Sequence, residues 1–298
     1  MDIQHIRYFL AVAKHQSFSK AARELYVTQP IVTRCVKNLE KELGTPLILR
    51  STKSFSLTEA GHALVRCGTE LLQQHRDIYR SIQDVANAEV GEIHISCPGV
   101  LLDMYFPKLV TQYRRKHPGI RITVQESGTR TVVQDVLEGS ADIGLVMLPL
   151  EGTEKFHVFP IVRDEVHIFV HQDHPFAKEA FIGIDQLKNL DIITYNQTTT
   201  LYNTFIKMCS QHGFSPVIAY QSMMPGFILD TLTYGDCIGV LPAPMLKRFP
   251  KNGLVSIPLQ PHFPWEIAMI TRKDRYLSLA AEQFLLFAQE FIAKLPNP

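Results

Sequence analysis

"SFSKAARELYVTQPIVTRCVKNLEKELG", residues 17–44, sets two amphipathic helical patterns on either side of a break only a few residues long. Phe18, Ala21, Ala22 and Leu25 share one face of the first pattern, and either Ser17 or Ser19 can cap it. Thr28 suits the N-cap of the second, with Pro30 in the first turn, where a missing N–H costs nothing. Val32, Val36, Leu39 and Leu43 then fall on a stripe about 60° wide that requires a buried partner. Gln29, Thr33, Arg34 and Lys37 lie on a separate, outward arc, and no acid occurs between Thr28 and Leu39. Such an arc offers hydrogen-bonding groups for base edges and cations for phosphates. A helix of this kind after a tight turn is what a helix-turn-helix inserts into the major groove. The competing reading is an ordinary helical hairpin with a solvated polar face.

The next stretch favours DNA. "GTPLILRSTKSFSLTEAG", residues 44–61, alternates apolar and polar residues around a basic tip, Arg50-x-x-Lys53, as a two-stranded wing does. Two cations at a wing tip can sit on the phosphate backbone or in the minor groove. Charge is also unevenly divided along the chain. Residues 1–60 hold nine Lys/Arg against five Asp/Glu, a local +4, while the whole chain is +1, which leaves −3 for the rest. The positive potential therefore sits on the end with the helical pair.

Residues 1–61 resemble the winged helix-turn-helix of the LysR-type transcriptional regulators. The resemblance is carried by Ala21-Ala22, Leu25, Gln29-Pro30, Thr33-Arg34, Leu39-Glu40, Leu43-Gly44, Leu47, Arg50 and Leu57-Thr58. It departs at Ile48, where the family usually has Phe, and at Lys53, where Arg is common; Lys keeps the charge and loses the planar fork. The resemblance implies that Gln29, Thr33 and Arg34 face operator DNA.

Residues 58 to about 89 contain no proline and read as one long helix, with Thr58 as its cap and Glu59 at its positive end. Leu64, Leu71, Ile78 and Val85 recur every seven residues, the spacing of a coiled-coil seam, although core packing within one chain gives a similar stripe. The resembled family places a dimerising linker helix here. Val90-Gly91-Glu92 reads as a hinge into the next domain.

Beyond it the rhythm changes. Ile93–Ser96, "GIRITVQESG" and "ADIGLVM" read as strands, separated by helical stretches at 100–116 and "TRTVVQDVLEGS". This βαβαβ order predicts a parallel sheet with helices on its faces. A second block, residues 164–265, has strands near 166–170, 191–194, 217–220 and 238–241 with helices near 200–211 and 225–234. "EGSADIGLVM" and "YGDCIGVLP" repeat one phrase: helix end, Gly, Asp, short apolar strand. The expected fold is α/β: an N-terminal winged helix-turn-helix (1–58), a linker helix (59–89) and a two-lobed, periplasmic-binding-protein-like effector domain (90–298). Lobe one comprises 90–163 and 266–298, and lobe two 164–265; the return of the C-terminal strand and helix to lobe one is what the family resemblance implies.

Two open α/β lobes create a cleft where strand C-ends meet helix N-termini, which is where small ligands bind. The residues at those junctions are Ser96, Cys97, Gly99, Val100, Ser127 and Thr129 in lobe one and Asn196, Thr198, Thr200, Met223 and Met224 in lobe two. Hydroxyls and amides at helix starts suit a carboxylate, and the methionines suit an apolar part. Helix capping alone also accounts for Ser and Thr at such positions.

Catalytic constellations are scarce: there is no Gly-rich phosphate loop, no HExxH and no GxSxG. His171-x-x-His174 lacks an evident third ligand, so neither a metal site nor a cofactor is expected. Cys97, before a predicted helix start, raises a redox-sensing alternative. An enzyme or solute-binding protein on the same two-lobed frame is another, and an architectural DNA-binding protein without an effector a third. Five cysteines without a CxxC pair, no apolar run long enough for a bilayer and no signal-peptide pattern point to the cytoplasm. The expected partners are double-stranded operator DNA, a small effector, further copies of the chain as dimer or tetramer, and RNA polymerase; no membrane is among them.

Overall fold

The computed structural model describes residues 1–50, 55–86, 90–235 and 237–294, excluding the side chains of Arg50, Arg80, Gln83, Asp84, Val85, Ala86 and Tyr105. Two compact units emerge, Met1–Ile82 and Gln83–Pro298.

In the first unit, α1 (Ile3–His15), α2 (Phe18–Glu24) and α3 (Gln29–Leu43) precede a hairpin of β1 (Ile48–Arg50) and β2 (Phe55–Leu57). The hairpin is antiparallel, with Ile48 opposite Leu57 and Arg50 opposite Phe55. The core joins Phe9 and Val12 of α1, Ala21 and Ala22 of α2, and Val32, Val36 and Leu39 of α3. Leu43 lies outside this core, 41% exposed, because the last turn of α3 runs past the helices that cover Val32 to Leu39. Gly44 ends the helix in the left-handed region, φ +69°, where glycine carries no Cβ penalty.

A fourth helix, α4 (Glu59–Ala86), is capped by Thr58, whose hydroxyl oxygen accepts from the Gly61 amide at 3.0 Å. Gly61 is required there, since a side chain would collide with the Leu47 carbonyl. Leu64 and Val65 pack against the first core, whereas Leu71, Ile78, Tyr79 and Ile82 further along are exposed. The Val85 end of the seven-residue stripe lies outside the described side chains.

The second unit is built on one long sheet path, β4-β3-β5-β12-β6-β10-β8-β9. Lobe one contains β3 (Gly91–Cys97), α5 (Gly99–Lys116), β4 (Ile120–Glu126), α6 (Thr129–Glu138) and β5 (Ile143–Leu148). A sixteen-residue strand, β6 (Phe156–His171), then crosses into lobe two. There lie β7 (Ile182–Gly183), β8 (Asp191–Thr194), α7 (Thr200–Gln211), β9 (Val217–Gln221), α8 (Pro225–Thr233), β10 (Ile238–Pro242), α9 (Pro244–Arg248) and β11 (Leu254–Gln260). β12 (Pro264–Arg272) returns to lobe one, and α10 (Leu279–Ala293), capped by Ser278, closes the chain.

The βαβαβ block pairs in parallel as its order predicts, β3 with β4 and β5, and β8 pairs likewise with β9 and β10; the antiparallel strands β12 and β6 make the whole sheet mixed. The reason is the crossover, in which one strand leaves lobe one and another comes back. β6 starts ten residues earlier than its apolar run because its first half contains Pro160, which reads as a strand breaker. A register shift opposite Ile267/Ala268 accommodates it. Gly91, read as part of the passage into the next domain, belongs to β3 and is paired with Ile120.

Candidate functional site

The outward arc of α3 is a surface recess of about 600 Å³ lined by Gln29, Pro30, Thr33, Arg34, Lys37 and Asn38. Among the described residues no carboxylate lines it. Gln29, Pro30, Arg34 and Lys37 are exposed and Thr33 half-buried. Among the described residues neither Arg34 nor Lys37 has an ion-pair partner. Helix α2 is capped by Ser17, which accepts from the Lys20 amide at 3.3 Å. Thr28 holds the N-cap position of α3 without a side-chain cap bond. The turn between the helices passes through Tyr26, φ +54° and 96% exposed.

The wing is anchored from α3 itself. Glu40 accepts from the Leu47 and Ile48 amides at 3.0 and 3.3 Å, and Thr58 donates to the Pro46 carbonyl at 2.7 Å. These bonds fix where β1 leaves the helix. Arg50 ends β1; Lys53 lies outside the described residues. On the opposite side, Glu24 is held by His15 and Lys14, and these bonds, His15's first, lower its carboxyl below the usual range. They lock the end of α2 to α1.

In the second unit, β3 and β4 of lobe one and β8 and β9 of lobe two each lead into a helix: α5, α6, α7 and α8 respectively. The lobes approach each other at Gly128, where a Cβ would lie 3.5 Å from the Thr198 hydroxyl. They also meet at α5, where the Asp103 carbonyl accepts from Arg248 Nε at 3.1 Å. Neither Asp103 nor Arg248 stood out in the sequence, because a main-chain acceptor has no sequence signal.

The predicted cleft residues divide sharply. Ser96 is fully buried and donates to Asp135 of α6 at 2.6 Å, a bond that braces lobe one. Cys97 is also fully buried, its thiol against the Pro98 carbonyl at 3.3 Å. Burial first, and then the Glu126 carboxylate, push that thiol up, the opposite of what a thiolate sensor needs. Val100 belongs to the core. A side chain at Gly99 would collide with Glu126, which therefore places a carboxylate beside the start of α5.

Ser127 is half-buried and accepts from the Gln125 side-chain amide at 3.5 Å. Asn196 makes a local turn, its side-chain oxygen accepting from the Thr198 amide and hydroxyl at 3.1 and 2.5 Å. Thr199, not Thr200, caps α7 by accepting from Tyr202 N at 3.3 Å. Gly128 takes the cap position of α6. The hydroxyls of Thr129 and Thr200, each the first residue of its helix, are therefore free of capping duty. Met223 packs against the core, while Met224, at the start of α8, is 69% exposed.

The two histidines of the His171-x-x-His174 pair have local uses: His171 Nδ1 accepts from the Asp173 amide, and His174 Nδ1 from Phe176 N at 3.1 Å. Among the described residues no cluster of three or more His, Cys, Asp or Glu is arranged for a metal. Among the same residues no helix is long and apolar enough to cross a membrane.

A winged helix-turn-helix followed by a two-lobed α/β unit defines a DNA-binding regulator with a ligand-binding domain. The chain belongs to the LysR family of transcriptional regulators. Residues 3–62 match the family described as bacterial regulatory helix-turn-helix protein, lysR family, and residues 86–293 match the LysR substrate binding domain. It is 33% identical to the uncharacterized HTH-type transcriptional regulator YwbI of Bacillus subtilis (strain 168), over 98% of this chain and 97% of that protein. In fold it is similar to a cysteine-to-aspartate variant of full-length OxyR from Pseudomonas aeruginosa, with TM-score 0.74, 20% identity and coverage of 99% and 95%. It is also similar to full-length CbnR complexed with its target DNA, with TM-score 0.66, 20% identity and coverage of 98% and 100%.

Proposed function

We propose that this regulator reads an operator through the arc of α3 and answers to a small carboxylate held between its lobes. The observation that carries the first half is the recess from Gln29 to Asn38, with two cations and no acid among its described lining residues. Arg34 suits a guanine edge and Lys37 a phosphate; Arg50 and Lys53 of the wing would meet the backbone or minor groove. Dimers or tetramers would present pairs of α3 to a site with dyad symmetry, joined through the exposed face of α4 at Leu71 and Ile78. RNA polymerase would be a further partner, and the protein would work in the cytoplasm with its DNA.

The effector would bind near Thr129 and Thr200, whose hydroxyls are not needed as caps. Glu126 beside the start of α5 repels a second anion there, so the carboxylate would be held nearer the starts of α6 and α7. Met224, exposed on α8, would cover an apolar part. Closure of the lobes around it would change the spacing of the DNA-binding units. The test is calorimetric titration of the full-length chain with a panel of carboxylates, repeated with Thr129→Val and Thr200→Val. Each lost bond to a charged ligand is expected to weaken the best ligand by about 1.5–3 kcal/mol. Unchanged affinity in both variants would move the site elsewhere.

A further inference from the structure

We infer that Ser19 is a positioning residue for operator readout: it locks the Gln29 amide with its NH2 group turned outward, so that α3 reads an acceptor-only base edge. The inference rests on the reading of α3 as the operator-facing helix.

Two serines stand at the start of α2, and their roles separate. Ser17 is the cap, accepting from Lys20 N. Ser19, in the first turn, is free of that role and donates its hydroxyl to Gln29 Oε1 at 2.8 Å, ten residues on and across the turn. Gln29 is the first residue of α3 and is exposed. Its neighbours on the recess, Thr33 and Arg34, leave it at the leading end of the helix, where recognition helices meet base edges.

The consequence follows from the shape of the amide. A free glutamine can turn its amide over and offer either its oxygen or its NH2 group to a base. Its usual partner is adenine, which needs both: the NH2 on N7 and the oxygen on the N6 amino group. With Oε1 drawn toward α2 by Ser19, the outward group is the NH2, a donor only. Guanine presents N7 and O6, two acceptors, on the same edge, and thymine presents O4. A held Gln29 therefore prefers guanine, with its two acceptors, and loses the second bond that adenine requires. Ser19 itself touches no base; it acts through Gln29.

Duplexes selected from a random library by the full-length wild-type chain provide the probe. Gln29→Ala identifies the base pair that Gln29 reads, as the position whose preference it erases. Guanine, in a G·C pair, is expected there. Substituting adenine at that position should weaken wild-type binding about three- to ten-fold, the worth of one hydrogen bond. Ser19→Ala should abolish that discrimination without changing affinity for random DNA, and Ser19→Thr, which keeps the hydroxyl, should restore it. In the Gln29→Ala background, Ser19→Ala should add nothing, since the two residues act as one unit. A Ser19→Ala loss that persists in that background, or that falls equally on random DNA, would overturn the inference. So would adenine at the Gln29 position in the selected duplexes. If Gln29→Ala erases no preference at all, the operator-facing reading of Gln29 itself fails, and the role of Ser19 falls with it.

Discussion

The arc of α3 and the loops of the cleft use polar side chains in opposite ways. On α3, Arg34 and Lys37 reach solvent without an ion-pair partner among the described residues, and Gln29 is tied down by a residue of the neighbouring helix. At the strand ends of the second unit, Ser96, Asn196, Thr198 and Thr199 are engaged by the protein itself. A helix satisfies its own backbone, so its exposed side chains remain available to a partner. A loop leaves backbone groups unsatisfied, and nearby Ser, Thr and Asn are drawn in to cap them. A polar residue on an outward helical face is thus a stronger sign of ligand contact than one in a loop.

The comparison can be broken most forcefully on α4, where exposed apolar side chains invite a partner copy. Ile78 is 57% exposed and Leu71 38% in the single chain. Ile78→Asp or Leu71→Asp would bury a charge in a dimer, at a cost on the order of several kcal/mol. Sedimentation should show a smaller species with poor operator affinity; an unchanged oligomer would mean that this face stays in water.

Ser96 sharpens the contrast within the second unit. Removing its hydroxyl takes a donor from the Asp135 carboxylate, which Ser140 also contacts at 3.2 Å. Ser96→Ala should lower stability by about 1.5–3 kcal/mol, seen in thermal unfolding, and leave carboxylate affinity unchanged. Loss of ligand affinity at unchanged stability would return Ser96 to the cleft. A smaller effect concerns Cys97. With its thiol raised by burial and by Glu126, Cys97 should resist alkylation near pH 8 in the folded chain while the exposed Cys67 reacts. Rapid native modification of Cys97, followed by peptide mass analysis, would revive the redox reading.

Much of this was legible in the sequence where periodicity spoke. The stripe of Val32, Val36 and Leu39 is buried as its spacing requires, and Thr58 caps α4. Helix α7 spans Thr200–Gln211, the range its pattern gives. What periodicity cannot see is direction and destination. The strand β6 was hidden by Pro160, whose missing N–H is absorbed by a register shift that only the partner strand β12 defines. The antiparallel return of β12 carries no local signal either. At the strand ends, Ser96 and Thr129 look alike in sequence, and the partner that Ser96 finds in Asp135 lies 39 residues along the chain. The Ser19–Gln29 bond was hidden for the same reason: two polar residues ten apart meet only once the turn is folded.

The central claim is that the carboxylate-free arc of α3 reads base edges. Fluorescence anisotropy with a selected operator and a random duplex, for wild type and Arg34→Ala at two salt concentrations, tests it most directly. The account predicts an operator-specific loss of about 1–3 kcal/mol with the salt slope nearly unchanged. Lys53→Ala, by contrast, should weaken both duplexes alike and flatten the slope. If Arg34→Ala binds operator and random DNA as the wild type does, α3 does not read the operator through this arc.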